Sequence, residues 1–75
     1  MMMQHYRIYV RLRSGGQATG RELHTGLPPD CGTVLDVPLV SGRTVKARVG
    51  TLNTEKAVGR GGKWTSVTEV YADEI

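Results

Sequence analysis

His-Tyr-Arg-Ile-Tyr-Val-Arg-Leu-Arg, at positions 5–13, alternates without a break. Tyr6, Ile8, Val10 and Leu12 are apolar or aromatic, and His5, Arg7, Tyr9, Arg11 and Arg13 fall between them. A period of two predicts a strand with one buried face. At about 3.3 Å per residue the outer face extends roughly 28 Å and carries three guanidiniums, an imidazole and a phenol ring. Such a surface suits an anionic or aromatic partner.

A second alternation, at residues 33–49, predicts a hairpin and its register. Val34, Leu35 and Val37 precede Ser41-Gly42, and Val45, Ala47 and Val49 follow it. A two-residue loop would set Val37 across from Lys46 and Leu35 across from Arg48, mixing core and solvent residues on one face. A three-residue loop, a type I turn closed by a left-handed Gly42, instead opposes Val37 to Val45, Leu35 to Ala47 and Asp36 to Lys46. Pro38 then points its missing N–H away from this partner, so the outer side of the strand is expected to be a sheet edge or a bulge.

The remaining segments are less regular. Residues 1–4 read as a flexible start and residues 14–20 as a turn or loop. Arg21-Glu22-Leu23-His24 suits a short strand, and 25–32 is a second irregular connection in which Pro28 keeps Leu27 out of the helical region. Residues 14–32 together are long enough for a functional flap. Residues 51–58 fit a helical turn or a short strand, and 59–63, Gly-Arg-Gly-Gly-Lys, an open loop. In 64–75 a capping-box match at Ser66-Val67-Thr68-Glu69 argues for helix, but Thr65, Val67, Thr68, Val70 and Tyr71 are strand formers, and strand is the preferred reading. The expectation is one all-β domain over residues 1–75, with room for one short helix: a small antiparallel barrel or open meander of four to five short strands. It resembles SH3-like and other small barrels in strand count and size, and no motif assigns it to a family.

A chain of 75 residues buries only about 60% of its unfolded surface, which leaves little room for a catalytic cleft, and no enzyme is expected. The absence of Phe puts the core on Val, Leu and Ile, which suit sheets. Cys31 has no partner for a disulfide, fitting a reducing compartment, and the start Met-Met-Met-Gln lacks the basic and apolar regions of a signal peptide; a cytoplasmic protein that touches no membrane is expected. His5 and His24 have no Cys or carboxylate at ligand spacing, so neither metal nor cofactor is expected. Nothing near Cys31 marks it as an activated nucleophile rather than an incidental thiol.

The net charge of +3 and pI near 9.4 are unevenly distributed. Seven cations face three carboxylates in residues 1–50, whereas three face four in 51–75. A basic N-terminal sheet favours acidic partners, although solubility alone also accounts for such a charge. The candidate nucleic-acid-binding residues are Arg7, Tyr9, Arg11 and Arg13 on the first strand, joined by Lys46 and Arg48 on the hairpin and by Arg60 and Lys63 in the glycine loop. Arginines at phosphates and a tyrosine under an unpaired base are how small sheet modules hold single-stranded RNA or DNA. In the competing reading the face is solvated and its arginines pair with Glu69, Asp73 or Glu74. The loop at 59–63 is not a P-loop, since Trp64 follows Lys63 where Ser or Thr is needed; Trp64 suits either a stacking platform or the core. The alternative function is a protein-interaction module, or a self-associating subunit, joined through a sheet edge beside Pro38 or the patch around Tyr9.

Overall fold

The alternating N-terminal stretch forms β1 (Met3–Arg11), which turns through residues 12–16 into β2 (Gln17–Thr25). β3 (Val34–Pro38), β4 (Thr44–Val58) and β5 (Trp64–Glu74) follow as an antiparallel meander. The computed structural model describes the backbone of residues 3–58 and 64–75 and the side chains of 4–54 and 66–75. The strands form one sheet in the order β2-β1-β5-β4-β3. It curls until Gly20 of β2 bridges Leu39 just beyond β3, where the Val40 N–H donates to the Thr19 carbonyl at 3.0 Å. The result is a small all-β half-barrel, with no helix among the described residues, and hence none long and apolar enough to cross a membrane.

Period-two patterning accounts for the two faces. Ile8 and Val10 of β1 point inward onto Val37, Leu39, Val45, Ala47, Val49, Val70 and Ala72, with Tyr6, Leu12, Ala18 and Leu35 packed around this core. The hairpin register is the expected one: Val37 opposes Val45, Leu35 opposes Ala47 and Asp36 opposes Lys46. Its turn closes with the Gly42 N–H donating to the Leu39 carbonyl at 3.0 Å and the Leu39 N–H to the Arg43 carbonyl at 2.7 Å, while Gly42 sits at φ +95°. A residue with a Cβ is strained there, which is why glycine ends this loop. β3 lies at the end of the sheet order, as Pro38 requires.

Several local readings change. β1 begins at Met3, inside the segment 1–4 expected to be flexible, and Gln4 accepts a hydrogen bond from the Gly26 N–H at 2.9 Å. Thr25, expected in the second loop, ends β2 opposite His5. Residues 17–20, expected as loop, belong to β2, because Gly20 fits directly against β1: a Cβ there would lie 2.7 Å from the Ile8 carbonyl oxygen. Residues 51–58 are neither a helical turn nor a separate strand but the distal half of β4, 15 residues long. A bulge at Gly50 shifts their pairing with β5, so the inward positions change from odd to even and the pattern no longer looks continuous. Residues 64–74 are strand, and the helix reading fails. Among the described side chains of β5, Ser66 and Thr68 point inward, and both are buried. Thr68 Oγ1 meets Thr54 Oγ1 of β4 at 2.9 Å, which offsets the cost of burying its hydroxyl. Most pairs are antiparallel, but β1 and β5 run parallel, from Met3 opposite Thr65 to Arg11 opposite Asp73. The 59–63 loop, with Arg60 and Lys63, lies outside the described residues.

Val37→Ala is expected to cost about 1–3 kcal/mol through lost burial and a residual cavity. Gly42→Val destabilises as well, because a β-branched side chain resists the left-handed region. Chemical denaturation measures both; an unchanged midpoint for either variant contradicts the packing or the turn described here.

Candidate functional site

Each strand sends its odd or even residues to the outer face according to its register, and that face collects most of the candidate residues. β1 contributes His5, Arg7, Tyr9 and Arg11; β4 contributes Lys46 and Arg48 before its bulge and Thr51 after it; β5 contributes Val67, Glu69, Tyr71 and Asp73. Thus Arg7, Tyr9, Arg11, Lys46 and Arg48 share one side of the sheet. Arg13 lies just past β1, where its backbone N–H donates to Glu74 Oε1 at 3.0 Å. Arg60 and Lys63 are outside the described residues.

The parallel β1–β5 ladder sets the electrostatics of this face. It places Glu69 beside Arg7, Tyr71 beside Tyr9 and Asp73 beside Arg11, and β4 adds Arg48 on the far side of Asp73. With Asp36 opposite Lys46, four described cations on the face stand among three carboxylates. Arg11 Nε lies 3.7 Å from Asp73 Oδ1, with both side chains largely in solvent, so the pair is loose and screened. Glu69 is engaged differently: its Oε2 accepts a 2.6 Å hydrogen bond from the Tyr71 hydroxyl. Arg7 Nε is shielded from solvent and has no hydrogen-bond partner among the described residues.

Tyr9 and Tyr71 stack on each other, ring centroids 5.6 Å apart and planes 25° from parallel. They form one wall of a depression of about 630 Å³ that also takes in Arg11, Arg13, Thr51 and Asp73. Residues of the 12–16 turn and Gly50 at the β4 bulge also line it. The depression therefore presents aromatic faces, two guanidiniums and a carboxylate within one opening. Tyr71, Thr51 and Asp73 were not among the residues expected to bind. The available signal was the odd parity that Tyr71 and Asp73 share with Val67 and Glu69, which becomes visible once Ser66 and Thr68 are allowed on the core face.

The two histidines do not converge. His5 is on the outer face, 3.5 Å from the Thr25 hydroxyl, and His24 stacks on Tyr6 of the opposite face at 4.8 Å. Cys31 is an exposed free thiol in the β2–β3 connection. Among the described residues no three His, Cys, Asp or Glu side chains group as metal ligands. Comparison with family models, curated proteins and solved structures yields no match for this chain.

Two substitutions separate packing from surface charge. Arg11→Ala should change stability by less than about 1 kcal/mol, as befits an exposed ion pair. Tyr71→Phe removes the bond to Glu69 and should cost about 1 kcal/mol. Urea denaturation of the two variants compares them, and a larger loss for Arg11→Ala than for Tyr71→Phe would reverse the assignment.

Proposed function

We propose that the protein is a non-enzymatic binding module that holds single-stranded RNA or DNA along β1, with bases at the Tyr9–Tyr71 wall and phosphates at Arg11 and Arg13. The observation that supports this reading most is the aromatic pair in a depression flanked by those two exposed arginines. Aromatic rings accept any base by stacking, and guanidiniums accept phosphate oxygens with little regard to sequence. Asp73 on the same wall has a use in this scheme, since a carboxylate accepts hydrogen bonds from the exocyclic amine of cytosine. Arg7, with its Nε shielded, is the weakest phosphate ligand of the β1 set.

The near balance of cations and carboxylates on the face favours a second reading, a protein partner seated over the same tyrosines, because tyrosine and arginine are the residues that anchor protein interfaces. Salt separates the two. Nucleic-acid binding releases counterions, about 0.7 per single-strand phosphate contact, and weakens steeply with salt.

Titration of fluorescently labelled single-stranded oligonucleotides at several salt concentrations tests the proposal. The double variant Arg11→Ala/Arg13→Ala is expected to flatten the slope of log affinity against log salt by roughly 1.4. Tyr9→Ala is expected to weaken binding by about 1–3 kcal/mol at constant slope, because stacking displaces no counterions. No binding by the wild type at low salt, or an unaltered slope in the double variant, would leave the protein-partner reading in its place.

A further inference from the structure

Among the described residues the sheet has three exposed edge segments, and one of them lacks protection. β2 is bulged opposite Ile8, carries Arg21 and Glu22 along its outer half, and is bridged to Leu39. β3 is five residues long and contains Pro38. β4 is covered by β3 only as far as Arg48, with Val49 held by hydrogen bonds to Gly32 and Thr33. Beyond Gly50, among the described residues, no strand lies beside it, although it continues to Val58. Proteins blunt long edges with bulges, prolines and charges because an open row of N–H and C=O groups recruits another strand. Thr51, Leu52, Asn53 and Thr54 are exposed and uncharged and include no proline.

The hydrogen-bonding phase of this edge follows from its neighbours. The Lys46 carbonyl bonds toward β5, accepting from the Ile75 N–H, and Val49 bonds toward β3. The bulge at Gly50 then shifts the alternation, so that Thr51 and Asn53 bond to β5 while the N–H and C=O of Leu52, Thr54 and Lys56 point to the open side. The 2.9 Å approach of the Thr54 and Thr68 hydroxyls suits the narrow, non-hydrogen-bonded pair that this phase requires.

We infer that this edge pairs with the same edge of a second copy of the chain, antiparallel about a two-fold axis at Thr54. The occupant is indicated by self-complementarity. Thr54 is the midpoint of the uncovered stretch 50–58, so pairing centred there gives the longest ladder; it sets threonine opposite threonine, Leu52 opposite Lys56 and Asn53 opposite Glu55, so no like charges oppose one another, whereas centring on Glu55 or Lys56 opposes identical charges. The dimer joins two half-barrels into one ten-stranded sheet and leaves the Tyr9–Tyr71 face open in both copies, so it does not depend on what that face binds. A ladder of this length is a small interface, and the association is expected to be reversible and concentration-dependent.

Sedimentation equilibrium of the full chain, with reductant present to silence the exposed Cys31, tests the inference. The wild type is expected to show a monomer–dimer equilibrium. Thr54→Val, which loses the hydroxyl contact to Thr68 but no backbone group, should still dimerise. Thr54→Lys and Thr54→Glu each place like charges at the axis and should raise the dissociation constant about tenfold or more, with circular dichroism checking that the sheet is retained. Mixing the two charged variants in equal amounts should restore dimers as a heterodimer. A wild type that is monomeric at every concentration, a dissociation constant unmoved by Thr54→Lys, or a mixture no tighter than its components would each overturn it.

Discussion

The parallel ladder between β1 and β5 holds the molecule together. It runs for nine pairs, from Met3 opposite Thr65 to Arg11 opposite Asp73. On one side of it lies the β1–β2 hairpin, on the other the β3–β4–β5 meander. A two-stranded hairpin is marginal in water by itself. Joined along this seam, and again at Gly20 and Leu39, the two units curl over a common interior where Ile8 and Val10 meet Val70 and Ala72. The ladder is also the pairing with the greatest separation along the chain, so its contacts carry the largest loop-closure cost.

The same ladder determines what the outer face can do. A basic strand alone would project a field of one sign. Laid against β5, it becomes a mosaic in which Asp73 tempers Arg11, Glu69 steadies Tyr71 and the two tyrosines stack. Under the proposed function, binding there would rely on shape and stacking more than on long-range attraction, with Arg11 and Arg13, the guanidiniums lining the opening, as its main electrostatic contribution.

Irregularities in the sheet have specific causes. Gly20 lets β2 fold against the Ile8 carbonyl and reach the β3 side, closing the half-barrel. Gly50 shifts the phase of β4, carrying the strand past β3 and changing which residues face inward. Past the Leu52–Val70 pair that follows the bulge, the described inward side chains become polar, with Thr54, Ser66 and Thr68 in place of valines.

Local sequence determined whatever local geometry governs. Side chains alternate across any strand, so residues 5–13 reveal β1 and its faces; a left-handed glycine permits only one loop, so Gly42 sets the hairpin register, and Pro38 marks an edge because it lacks a donor. Five of the candidate site residues were legible for the same reason. Tertiary structure alone decided the rest. Apolar counting left the faces of β5 mixed, since its buried Ser66 and Thr68 take core-side positions, Thr68 with Thr54 as a partner; it read 51–58 as a separate element because the bulge reverses parity; and it left Tyr71 out of the candidate site. No local signal reports that the first strand pairs with the last. That choice comes from the summed burial and backbone pairing of the whole sheet, and it alone placed carboxylates among the arginines and Tyr71 against Tyr9.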